Sequence, residues 1–190
     1  QIYRTQQAVL ATSNVKWDAN GYRLPTEAEW EKAARGGLAG KHYPHGDSVD
    51  NKTAYYDKGV GKTTAVGSYP ANDYGLHDMA GNVWEICWDW YLKDWYSQPG
   101  AVAKNPRGPD VDSLNSLIRI VRGGSGASDA NRLKVHYRRD FNLTWSQYLI
   151  GFRTVISEPP STPAIDITAL STPVHLGTVS GGGIFPNGQE

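Results

Sequence analysis

The segment Val83-Trp84-Glu85-Ile86-Cys87-Trp88-Asp89-Trp90 constrains this chain more than any other. Its apolar residues alternate imperfectly with polar ones, which suits a half-buried strand with aromatic side chains on both faces. A strand of that kind needs cover, and the rest of the chain offers few regular elements to supply it. With 21 Gly and 11 Pro in 190 residues, the sequence predicts an irregular, loop-rich fold. Apolar residues are only 39%, but 7 Trp and 11 Tyr bury large areas each, so one core can be built from few side chains. The length suits that single core plus tails.

One helix is written plainly. In Pro25-Thr26-Glu27-Ala28-Glu29-Trp30-Glu31-Lys32-Ala33-Ala34-Arg35-Gly36, Thr26 is the N-cap and Glu29, three residues on, completes a capping box. Glu27 and Glu29 complement the positive end of the helix dipole, Lys32 and Arg35 the negative end, and Gly36 supplies a left-handed stop. Trp30, Ala33 and Ala34 share the face that packs. Residues 38–75 read as loops with a short strand near Ala65 to Ser68, and 97–115 as a polar loop. Leu117 to Arg122 and Tyr148 to Ile156 read as strands. Beyond Ser157 the composition shifts to a Pro/Gly/Ser-rich linker or tail.

Nineteen basic and nineteen acidic residues cancel, so no net field favours nucleic acid or an anionic membrane, and neither is expected as a partner. No run reaches the roughly 18 apolar residues of a membrane span, and Gln1 to Gln7 lack signal-peptide architecture. The chain is expected to be soluble, and a larger secreted bacterial protein is one setting for it. The single cysteine, Cys87, excludes an internal disulfide framework and any chemistry needing two thiols. Its environment reads as that of a buried small hydrophobe. Histidines 42, 45, 77, 136 and 175 show no metal-ligand spacing, and His42 and His45 read as solvated or capping residues.

Four segments stand in order: Gly21-Tyr22-Arg23-Leu24-Pro25-Thr26-Glu27-Ala28-Glu29-Trp30-Glu31, Tyr74-Gly75-Leu76 through Gly81-Asn82-Val83-Trp84-Glu85, Arg122-Gly123-Gly124-Ser125, and Gly151-Phe152-Arg153. Together they resemble the formylglycine-generating enzyme family, also called the sulfatase-modifying-factor family. The resemblance implies an α+β, C-type-lectin-like fold with little regular secondary structure. It divides the chain into an N-terminal extension over 1–16, a domain over 17–157 that is incomplete at its N-terminus, and a tail over 158–190. An incomplete sheet would leave an edge and an apolar face open, which a homodimer would cover.

Catalytic members of that family carry two cysteines shortly after the Gly-Gly-Ser, which bind copper. The matching positions here are Ser128 and Leu133, and neither supplies a thiolate, so no copper and no catalytic residue is expected. The segment between Arg122 and Arg153 also resembles the display region of variable proteins of diversity-generating retroelements. On that likeness Ser125, Ser128, Asp129, Asn131, Arg132, His136, Tyr137, Trp145 and Tyr148 form a lectin-like surface for a protein, peptide or carbohydrate ligand. Arg138 belongs instead to the scaffold, as its counterpart does in family members. In characterised relatives the Gly-Asn-x-Trp-Glu segment binds calcium, which implies ligation by Asn82 and Glu85 with the carbonyls of Ala80 and Val83. The alternative, in which Asn82 and Glu85 only satisfy turn amides, stays open. The expected function is a non-catalytic binding module. The rival is a sulfatase-activating or related oxidoreductase enzyme working without the cysteine pair, through Ser125, Ser128, Asp129, Arg132 and His136.

Overall fold

The computed structural model describes residues 15–156, apart from 18, 60, 111–116 and 146, together with 179–180. The tail over 158–178, most of the N-terminal extension and part of the 97–115 loop lie outside the described residues. The chain runs β1 (Tyr22–Arg23), α1 (Glu27–Arg35), β2 (Trp84–Trp90), β3 (Ile118–Arg122), β4 (Arg139–Asn142), β5 (Ile150–Gly151), β6 (Thr154–Ile156) and β7 (Val179–Ser180), with 3-10 turns between. One sheet has the order β4-β3-β2-β5 and a smaller one β1-β6-β7. The architecture is α+β, with long irregular connections.

The helix forms as its local chemistry dictates. Glu29 N–H donates to Thr26 Oγ1 at 3.2 Å, Thr26 N–H donates to the Glu29 carboxylate at 2.8 Å, and Gly36 closes the helix at φ 55°. Its inward face sets Trp30 and Ala34 against Leu76, Met79, Cys87, Ile120 and Val135. On the other face of the sheet Trp84, Ile86 and Trp90 pack with Val121, Phe141 and Leu143. The central strands β2 and β3 are therefore covered on both sides, as the aromatic strand required. Tyr43, Ala54, Ala80 and Leu133 form a third cluster that folds the 38–75 loops onto the sheet.

Two expectations are corrected. Ala65 to Ser68 is a turn, with Gly67 at φ 77° and its N–H donating to Asp78 at 2.7 Å. Tyr148 to Ile156 is two strands in different sheets: β5 pairs parallel with β2, and β6 pairs antiparallel with β1. The chain breaks at Phe152 and Arg153 because the Arg153 side chain is drawn inward to the Glu85 carboxylate at 2.6 Å.

The core is also charged. Arg122 is fully buried, 3.3 Å from Glu27, which is 1% exposed, and it also meets Glu31. Its guanidinium donates to the carbonyls of Val135 at 2.6 Å and Tyr137 at 3.0 Å. Arg138 Nε donates to Glu27 at 2.7 Å. Glu27 thus does more than complement a dipole: it anchors the helix to β3 and to the segment entering β4. Asp89, 3% exposed, accepts the Glu27 N–H at 2.7 Å. Burial pushes its carboxyl up to about 7, the Glu27 N–H works against that shift, and the like charge of Glu27 adds to it.

Removing one partner of a buried pair strands the other charge, so Arg122→Met is expected to cost about 3–5 kcal/mol in denaturant unfolding. Asp89 is expected to make stability pH-dependent. Its folded pKa lies above the unfolded one, so its contribution is complete below about pH 4 and is lost as pH rises through about 7, up to roughly 4 kcal/mol in all. Asp89→Asn, which still accepts the Glu27 amide, should flatten that decline in unfolding curves taken from pH 4 to 8.

Candidate functional site

Strand β3 leads into Gly123-Gly124-Ser125, the start of the expected ligand surface. Gly123 and Gly124 have φ of 89° and 75°. A Cβ on Gly123 would lie 3.1 Å from the Trp30 ring, and one on Gly124 would lie 2.7 Å from Leu133. Glycine is required here by backbone conformation and by space. The chain then folds on itself. Ser125 N–H donates to Ser128 Oγ at 3.0 Å, Ser128 N–H returns to the Ser125 carbonyl at 2.9 Å, and the two hydroxyls lie 3.2 Å apart. Neighbouring loops clamp this turn: Asp57 N–H donates to the Ser128 carbonyl and Lys58 N–H to the Gly126 carbonyl, while Gly126 N–H donates to the Asn82 carbonyl.

Ser125 and Ser128 are therefore corrected from the expected ligand surface to the interior, at 2% and 3% exposure. Their hydroxyls satisfy one another, which is what buried polar groups require. Leu133 is fully buried and belongs to the third core cluster. Cys87 is buried as well, and burial pushes its thiol well above the ordinary range.

Other expected surface residues do face solvent. Asp129, Asn131, Arg132 and His136 are exposed on and around the 3-10 turn Ala130–Leu133, which Asp129 caps by accepting Arg132 N–H at 3.2 Å. Asp129 and Arg132 also pair at 3.8 Å. Tyr137 is half-buried, its ring 6.0 Å from Trp84, so it shares in the core. Trp145 and Tyr148 are 55% and 64% exposed. Phe152 is 63% exposed beside them in kind, and nothing in the apolar run around it marks it in sequence as a surface aromatic. Arg138 serves the scaffold, as the resemblance implied. A cavity of about 400 Å³ lies elsewhere, against the outer side of α1, lined by Glu31, Lys32, Arg35, Leu38, Tyr74 and Tyr96 among others. None of Ser125, Ser128, Asp129, Arg132 and His136 lines it.

The Gly81-Asn82 turn is built to lock loops together. A Cβ on Gly81, at φ 82°, would stand 2.3 Å from the Tyr55 carbonyl oxygen. Asn82, at φ 63°, closes its side chain on Thr64, accepting the Thr64 N–H at 3.0 Å and donating to the Thr64 carbonyl at 3.2 Å. Glu85 faces elsewhere: it accepts Trp30 Nε1–H at 2.6 Å and takes a two-pronged contact from Arg153 at 2.6 and 2.8 Å. A calcium ion needs anionic oxygen ligands that converge. Here the carboxylate is neutralised by a guanidinium and the amide is spent on a backbone, so these residues do not fit the ion. Among the described residues no group of three or more His, Cys, Asp or Glu could hold a metal.

The Glu27–Arg122 and Glu85–Arg153 pairs bring the four motifs together in space. In comparison with known proteins, residues 7–158 match the sulfatase-modifying factor enzyme 1-like domain. The chain belongs to that family. The chain is 42% identical over 133 residues to serine/threonine-protein kinase pkn1 of Chlamydia pneumoniae, covering 70% of this chain and 20% of that one. It is 37% identical over 151 residues to the formylglycine-generating enzyme of Thermomonospora curvata, covering 70% and 48%. Among solved structures it is similar to Treponema denticola variable protein 1, with TM-score 0.62 and 33% identity over 74% of this chain and 49% of that one. The chain thus spans a fifth to a half of these relatives. No described helix is long and apolar enough to cross a membrane.

Glu85→Gln leaves Arg153 buried without its anion and is expected to lower stability by about 3–5 kcal/mol. Millimolar calcium or a chelator should leave the wild-type Tm unchanged; a calcium-dependent rise in Tm would overturn the misfit found at Asn82 and Glu85.

Proposed function

We propose that this chain is a non-catalytic sulfatase-modifying-factor module that binds a protein, peptide or carbohydrate through the surface over 126–149. One observation carries the reading. At the two positions where catalytic members hold cysteines, Ser128 is tied to Ser125 beneath the surface and Leu133 is fully buried. Monovalent copper needs soft sulfur ligands, and neither residue offers one. The residues that reach solvent over 126–149 include Asp129, Asn131, Arg132, His136, Trp145 and Tyr148. Aromatic anchors beside adaptable polar groups are the composition of recognition surfaces. Similarity to a Treponema variable protein supports the same reading. The cysteine-independent enzyme is less favoured, because Ser125 and Ser128 bond to each other, Asp129 pairs with Arg132, and none of these lines the cavity beside α1.

Incubation with copper, oxygen and a sulfatase-motif cysteine peptide should yield no aldehyde by mass spectrometry. On peptide and glycan arrays the chain should retain a ligand that is lost in an Asn131→Ala, Arg132→Ala, Trp145→Ala variant of unchanged Tm. Aldehyde formation would overturn the non-catalytic reading, and array binding indifferent to those substitutions would overturn the surface.

A further inference from the structure

Two histidines far apart in sequence meet on the surface. The rings of His42 and His136 have centroids 5.7 Å apart, with planes inclined at 63°. Their backbones are fixed together, since Val135 N–H donates to the His42 carbonyl at 2.8 Å. Beside each histidine a core residue is buried: Tyr43 next to His42, and Val135 next to His136. Both imidazoles are themselves exposed.

We propose that His42 and His136 together bind a divalent transition-metal ion, zinc or copper(II). Imidazole nitrogen lies about 2.0–2.1 Å from such an ion, which puts each ring centroid about 3.2 Å away. Two rings sharing one tetrahedral ion would then have centroids about 5.2 Å apart, a few tenths of an ångström from the spacing found. Side-chain rotation of two exposed rings covers that difference. Nitrogen donors select these ions over calcium and magnesium, which prefer oxygen. The charge field is mixed, with Glu31, Lys134 and Arg35 acting on His136 and Asp47 interacting with His42. With no third His, Cys, Asp or Glu joining among the described residues, water fills the remaining positions. His136 also lies in the 126–149 surface, but the ion site does not rest on that surface's holding a ligand.

Calorimetric titration of the full chain with zinc or copper(II) should show one ion bound per chain, with Kd on the order of 1–10 μM. Copper loaded at one equivalent should show nitrogen ligation in its electron paramagnetic resonance spectrum. His42→Ala and His136→Ala should each weaken binding about tenfold or more, while His45→Ala, His77→Ala and His175→Ala leave it unchanged. Because both rings are exposed, the variants should keep the native Tm, which separates lost ligation from lost folding. Wild-type affinity in either His42→Ala or His136→Ala, loss of binding in a control variant, or no binding up to about 1 mM ion overturns the site.

Discussion

The Glu27 carboxylate, 1% exposed, is held between Arg122 and Arg138, and the rest of the structure is arranged around that contact. Burying three charged groups is costly, and it is tolerated only where each finds further partners. Arg122 finds them in Glu31 and in the carbonyls of Val135 and Tyr137. One ion cluster therefore fixes the first turn of α1, the end of β3 and the approach to β4. It also dictates the two residues after Arg122. The chain must leave the buried guanidinium past the Trp30 ring and Leu133, and only Gly123 and Gly124 pass without a clash.

A second buried pair repeats this logic. Glu85 of β2 holds Arg153 and the Trp30 indole N–H, so the helix, the aromatic strand and the segment between β5 and β6 share one acceptor. The residues of the four motifs thus include ion partners and the glycines that make room for them. These buried pairs build the scaffold without any part for Ser128 or Leu133 beyond their own packing. Under the proposed reading, function has moved outward, to side chains on which the buried network makes no demand.

Legibility in the sequence followed the range of the interaction. Helix α1 could be read residue by residue because caps and dipole partners act within four positions. Strands β2 and β3 were visible as apolar runs. Strand β4, Arg139–Asn142, was not, since only Phe141 is buried in a charged stretch. The 148–156 run looked continuous because hydropathy does not record that Arg153 turns inward to a carboxylate 68 positions away. Ser125 and Ser128 looked available because hydroxyls usually face water, and their burial depends on distant loops, Asp57 and Lys58 among them, that close on the turn.

The sequence by itself determined the family, the α+β class, the capped helix, the twice-covered aromatic strand and the lack of a thiol pair. All of these depend on residue identity or on contacts between near neighbours. Only the tertiary structure decided that Glu27 is a core anion, that Glu85 pairs with Arg153, and that His136 is a neighbour of His42. Those outcomes rest on charges and rings brought together across long loops, where the cost of desolvation selects one partner among many that composition allows.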